Sequence, residues 1–259
     1  MIYTSFGLYC IAFFGLILCR YFLVAGVTYG FLYAPFSRAL LKLPLQQRSP
    51  SWRAIRRDME LSVLSAGVFA LAGAVILTGS GAGETRLYTD PHTYGLGYLA
   101  LSYGVVLILQ DTYFYFSHRL FHHPALFRWF HRGHHRSRYP TPWTSFAFDP
   151  PEAIGQSLFL VAIVFLLPLH VVTLIAVLTT MTVWAVLNHL GIDRLPSAFP
   201  HHWLGHWVIG PAHHSLHHLK YTVHYGLYFT FWDRLLGTQD PTYAKVLEHA
   251  TDECLPPQL

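Results

Sequence analysis

Apolar residues run almost unbroken from Ile2 to about Phe31, with Arg20 the lone charge. A helix crosses a bilayer with roughly 20 apolar residues, so this tract suffices for one span. Arg20 is expected to snorkel, or the helix to lie partly in the interface. Similar runs cover about Leu61 to Thr78 and about Leu96 to Phe116, the latter with Asp111 near its inner end. A fourth tract, Ala153 to His189, is too long for one span, and LLPLH (Leu166 to His170) interrupts it. Proline cannot donate to a helix ladder, so the pattern predicts two helices joined by a tight turn. The sum is an all-α integral membrane protein with about four to five membrane helices, including a helical hairpin.

Composition points the same way. Only 12% of residues are charged, about half the share of a soluble domain, which argues against a water-soluble globule. No linker or internal repeat divides the chain, so 1–259 reads as one membrane-embedded domain. Cys10, Cys19 and Cys254 are odd in number and form no disulfide framework. The first apolar run has no basic flank before it, which predicts an anchor helix rather than a cleaved signal. The net charge of +4 comes without any nucleic-acid-recognition motif, so no nucleic-acid partner is expected, and its distribution reads as a topology signal.

Arg38, Lys42, Arg48, Arg53, Arg56 and Arg57 lie between the first two runs, and Arg119, Arg128, Arg132, Arg136 and Arg138 follow the third. Between the second and third runs the only basic residue is Arg86. The positive-inside rule places the first and last of these segments in the cytosol. The hairpin then leaves and returns, which puts His189 and the C-terminal region on that side too. The membrane would be the endoplasmic reticulum in a eukaryote or the inner membrane in a bacterium.

The candidate chemistry lies in histidine. HRLFHHPALFRWFHRGHH, His118 to His135, holds an HxxxH pair (His118, His122) and an HxxHH triplet (His131, His134, His135). A second HxxHH (His214, His217, His218) lies within HHSLHH. Helix positions i, i+3 and i+4 share a face, so each cluster is expected to aim its imidazoles at one point, and His189 reaches the same end. Nine ligands exceed one tetrahedral ion but suit two metals with four or five nitrogens each. This predicts a cytosolic histidine-rich helical cap holding a dimetal site. His92, His170 and His249 read as structural or solvated. His123, His201, His202, His206, His213 and His224 are ambiguous. Imidazole suits zinc, copper, iron and nickel. The absence of an ExxH pair excludes the carboxylate-bridged di-iron bundle. Asp111, Asp149, Glu152, Asp193 and Asp233 are candidates to accept the far N–H of ligand histidines or to face a substrate.

These motifs resemble the membrane sterol desaturase / fatty acid hydroxylase superfamily. The likeness runs from about Leu109 to Thr238. It includes DTYFYFSHR before the first box, PTPWTSFAFDPPEA after the second, LPLH at the hairpin turn, NHLGID around the isolated histidine, and YGLYFTFWDRLLGT at the end. PTPWTSFAF and AHHSLHH are most similar to the sterol desaturases that act on ring B. The resemblance implies a catalytic core at about 100–240. It implies two irons held by His118, His122, His131, His134, His135, His189, His214, His217 and His218. It also implies dioxygen as co-substrate, and electrons from NAD(P)H through a separate b-type cytochrome or ferredoxin with its reductase. The expected reaction is desaturation or hydroxylation of a membrane lipid, a sterol or a relative. The alternatives are a fatty acyl, sphingolipid or carotenoid hydroxylase and, from another class, a histidine-rich metal transporter. Three positions depart from the family pattern: Asp149 for a histidine, His224 for an asparagine, and Ala185 for a second histidine four before His189. Trp143, Phe146, Phe148, Trp184, Phe229 and Trp232 are candidates to line a lipid slot.

Overall fold

The computed structural model describes residues 2–34, 50–191 and 207–243. Arg38, Lys42, Arg48, Asp193, His201, His202, His206, His249 and Cys254 lie outside the described residues. Helix α1 spans Ile2–Tyr33 and α2 spans Trp52–Gly81. A short strand, β1 (Leu87–Tyr88), leads to α3 (Gly95–Phe121). Two short helices follow, α4 (Pro124–Phe130) and α5 (Arg132–His135), and then a 3₁₀ turn at Pro142–Phe146. The hairpin is α6 (Pro150–Leu166), β2 (Leu169–His170) and α7 (Val171–Asn188). Helices α8 (Pro211–Lys220) and α9 (Phe231–Leu235) close the described chain.

Four of these helices are long and apolar enough to cross a membrane, and α6 is apolar but shorter. Two overrun the hydropathy limits. Helix α2 starts nine residues before Leu61, because Ser51 caps it by accepting the Ala54 N–H and its first turns are polar (Arg53, Arg56, Arg57, Asp58). At 1.5 Å per residue it is about 45 Å long against a hydrocarbon core of about 30 Å, so those turns stand beyond it. Helix α3 likewise runs past Phe116 and carries His118 out of the apolar stretch.

The helices bury small residues and expose large ones. On α2 the buried face repeats every four residues, Ser62, Ala66, Ala70, Ala74, and α1 packs against α2. A Cβ on Gly73 would lie 3.0 Å from the Phe13 ring. Small residues let backbones approach, which is how helices associate in lipid where apolar burial gives no advantage. Outward, Leu8, Ile11, Leu16, Leu23 and Val27 are exposed, Ile11 by 72%. In water that face would be an aggregation site; in a bilayer it meets its solvent. Arg20 is only partly buried, its guanidinium 5.5 Å above the Phe146 ring.

At the hairpin tip, β2 pairs in parallel with β1, Leu87 opposite Leu169 and Tyr88 opposite His170. His170 is structural, as its isolation implied. Its Nε2 donates to the Thr89 carbonyl at 2.8 Å, and its Nδ1 accepts the Val172 N–H at the start of α7. The Tyr98 hydroxyl donates to the Pro168 carbonyl at 3.0 Å. Val106, Ile163, Val164, Leu169 and Val177 pack together between α3, α6 and α7. The hairpin thus returns beside α3, and the C-terminal ends of α3 and α7 both carry histidines.

If the small-residue seam sets the α1–α2 spacing, Ala74→Leu should cost about 1–3 kcal/mol by overpacking. A melt of the detergent-solubilised protein should fall clearly below wild type. An unchanged melt would show that the seam tolerates a large side chain.

Candidate metal centre

The nine histidines divide into two adjacent groups. His118, His122, His131, His135 and His217 form one, and His134, His189, His214 and His218 the other. Within each, one nitrogen per ring lies within 4.8 Å of all the others. All nine are buried except His122, which is partly exposed. The expectation that each HxxHH aims at a single point is corrected. His131 and His135 serve the first group while His134 between them serves the second, and His214 and His218 serve the second while His217 serves the first. Successive helical residues point about 100° apart, so the i,i+4 pair shares one target and the third histidine turns to the other. Each motif therefore feeds both pockets and ties them together.

The far nitrogens determine the tautomers. His118 Nδ1 lies 2.9 Å from the Tyr225 carbonyl and His217 Nδ1 2.7 Å from that of Val223. His134 Nδ1 meets the Ala147 carbonyl at 3.2 Å, and His189 Nδ1 that of Ala185 at 2.6 Å. A carbonyl only accepts, so these four Nδ1 atoms carry the proton, and each neutral ring leaves a bare lone pair on Nε2. Two of those lone pairs meet: His189 Nε2 faces His134 Nε2 at 3.4 Å. His118 and His131 approach Nε2 to Nε2 at 2.9 Å, His135 and His217 at 3.1 Å, and His214 lies at 3.0 and 3.1 Å from His189 and His218. The two bare lone pairs of His134 and His189 cannot satisfy each other; a cation between them can. Metal–nitrogen bonds of about 2.0–2.1 Å place neighbouring ligand nitrogens roughly 3.0–3.4 Å apart, so the donor set fits a metal in each pocket.

Burial also keeps these rings in the form that binds metal. It pushes His134, His135, His214, His217 and His218 well below the usual imidazole range, and neighbouring imidazoles push them further. His189 falls to about 4, chiefly through burial.

Of the acidic candidates among the described residues, only Glu152 meets a ligand ring: its Oε2 is 2.7 Å from His131 Nδ1. Asp111 instead accepts the backbone N–H groups of Leu227, Tyr228 and Phe229 through Oδ1. Asp233 accepts those of Tyr225 and Gly226, and the Thr238 hydroxyl. Both acids thus shape the loop whose Tyr225 carbonyl receives the His118 proton. Asp149 Oδ2 accepts the Gly133 N–H at 2.5 Å, which anchors the turn carrying His134 and His135. The reason is economical: chain carbonyls near the rings, such as Ala185 at the end of α7, are already unpaired and accept without the cost of burying a charge.

The ambiguous histidines that fall in the described residues are outside both groups. His123 is exposed and caps α4 by accepting the Ala125 N–H. His213 Nδ1 is 2.9 Å from the Tyr243 hydroxyl. His224, in the left-handed region at φ 58°, accepts the Asp240 N–H on Nε2. Among the aromatic candidates, Phe148 stacks on His134 with centroids 5.7 Å apart. Trp143 packs against Tyr21, Trp184 against Tyr228, Phe229 against Tyr228, Trp232 against Tyr115, and Phe146 against Tyr21. One contributor was not anticipated: Asp58 of α2 accepts the hydroxyls of Ser137 (2.6 Å) and Thr144 (2.8 Å), which holds the segment after the second histidine box. Its sequence signal was one of two acids, with Glu60, ahead of an apolar run, which points nowhere in particular.

A helical membrane protein whose buried histidines make two metal-competent pockets is the class that fold and site define. The family model described as fatty acid hydroxylase matches residues 103–238, just over half the chain. The chain belongs to that family. It is 32% identical over 184 residues to a delta(7)-sterol 5(6)-desaturase of Gibberella zeae, an alignment covering 71% of this chain and 55% of the relative. It is 30% identical over 220 residues to the lathosterol oxidase of Homo sapiens, covering 84% and 70%, and 30% identical over 240 residues to that of Mus musculus, covering 92% and 73%. The chain thus spans little more than half the length of the fungal relative. No solved structure matches it.

A Cβ on Gly133 would fall 2.2 Å from Asp149 Oδ1. Gly133→Ala should therefore displace the carboxylate, loosen the turn bearing His134 and His135, and reduce retained metal at least severalfold, as measured by elemental analysis of purified protein. Wild-type metal content in that variant would show that the clamp does not position the ligands.

Proposed function

We propose that the protein is a membrane-bound, oxygen-dependent di-iron oxidoreductase that desaturates or hydroxylates a lipid, a sterol or a close relative. The observation that carries this reading is the pair of adjacent all-histidine pockets, five rings and four, at one end of a lipid-facing helical bundle. Oxidation of an unactivated C–H bond needs a redox-active metal, which zinc is not. Two irons on His118, His122, His131, His135, His217 and on His134, His189, His214, His218 would supply oxygen activation and one-electron chemistry. The chain's own residues do the rest. Backbone carbonyls and Glu152 orient the rings, and burial keeps water away. The sterol assignment draws on relatives named as a sterol desaturase and lathosterol oxidase. Electrons would arrive from NAD(P)H through a separate carrier protein, a b-type cytochrome or a ferredoxin with its reductase. A metal transporter fits less well. Transport sites lie near the bilayer midplane between broken helices, whereas these histidines gather where α3 and α7 end.

Reconstituted protein should hold about two irons per chain, from ligand count against preferred coordination. With a donor chain and labelled dioxygen it should oxidise sterols or long-chain lipids. His134→Ala and His217→Ala should lower iron and turnover together. If no lipid of either class is oxidised while iron stays bound and reducible, or if zinc alone supports full activity, the assignment fails.

The arginine distribution supports a cytosolic site. Single cysteines at positions 118–135 should resist an impermeant thiol reagent applied from outside, while those at 84–90 react. The opposite labelling pattern would invert the topology.

A further inference from the structure

We propose that Glu152 makes the two histidine pockets chemically unequal, so that the five-histidine pocket holds its ion more tightly and at the lower reduction potential; this rests on the di-iron reading. The argument starts from what each ligand ring meets on its far side. His118, His134, His189 and His217 all donate to neutral backbone carbonyls. Among the described residues His131 alone meets a carboxylate, at 2.7 Å, with the two side chains 2% and 1% exposed. Among the described residues no carboxylate is bonded to a ring nitrogen of the four-histidine pocket. The second oxygen of Glu152, Oε1, is buried and has no hydrogen-bond partner.

When Nδ1 of His131 and Oε2 of Glu152 share a single proton across their 2.7 Å contact, a His131 ring that binds a metal through Nε2 forms with Glu152 a unit of net charge −1. That charge sits inside the protein, where water screens it little. It favours the more highly charged, oxidised state of the adjacent ion, and carboxylate–histidine–metal units raise ligand basicity and affinity in the same way. The five-to-four difference in ring number acts in the same direction. The four-histidine pocket is then the more easily reduced side and keeps more positions open, beside the stacked Phe148.

Glu152→Gln retains size and an accepting oxygen but removes the charge; Glu152→Ala removes both. Protein loaded with Mössbauer-active iron should show two signals, and His217→Ala identifies the one that belongs to the five-histidine pocket. In Glu152→Gln that signal alone should be lost to a competing chelator at roughly 10–100-fold lower concentration than in wild type. Its redox midpoint should rise while the other stays. Equal weakening of both ions would overturn the proposal. So would a Glu152→Gln protein like wild type beside a defective Glu152→Ala, since the residue would then act by packing alone. Should both variants misfold, wild type still decides. Stepwise chelation must remove the four-histidine ion first, and simultaneous or reversed release sinks the idea. Wild type that binds no iron pair would instead refute the di-iron reading itself.

Discussion

Bare imidazole lone pairs pointed at one another are the constraint on which the rest of this structure hangs. The Nε2 atoms of His134 and His189, 3.4 Å apart with no proton between them, form an arrangement the chain must hold against its own electrostatics. It is held because five of the nine rings, His118, His131, His134, His189 and His217, are fixed from behind. Some acceptors are helix-end carbonyls, as Ala185 is for His189, and others come from loops, as Tyr225 does for His118. The loops are fixed in turn by buried acids: Asp111 and Asp233 organise 225–229, Asp58 holds Ser137 and Thr144, and Asp149 clasps Gly133. Among the described residues one carboxylate, Glu152, touches a ligand ring, yet several help to build the site.

The bilayer explains why such a site stands at the end of a bundle. Within the hydrocarbon every backbone group must be paired inside its own helix, so loops with free carbonyls and acids belong beyond it. Helices α2 and α3 overrun their apolar segments and carry Asp58 and His118 toward that outer layer. Close packing of α1 on α2, where Gly73 meets Phe13, and of the hairpin on α3 gives the layer a rigid floor. Rigidity matters because ligand nitrogens a few tenths of an ångström out of place bind metal poorly.

Family membership and site geometry inform different questions. The fatty acid hydroxylase match covers the stretch that holds the nine rings. Among the described residues the geometry adds an asymmetry, five rings with a carboxylate behind one of them and four with none.

Much was legible in the chain itself. Length and hydropathy determined the spans, because a bilayer demands a run of apolar residues whatever the fold. Pro168 determined the hairpin break, and the spacing of the histidines determined that two metals' worth of ligands would gather. The partition of those ligands was decided only in three dimensions. His134 and His135 are neighbours in sequence but serve different pockets, because a helix turns them about 100° apart and a partner for each must come from a distant segment. The acids were equally opaque: Asp111 and Glu152 look alike in sequence, and only packing sent one to backbone amides and the other to His131. The two-residue pairing of Leu87–Tyr88 with Leu169–His170 left no trace at all, since backbone hydrogen bonds between remote segments need no particular side chain.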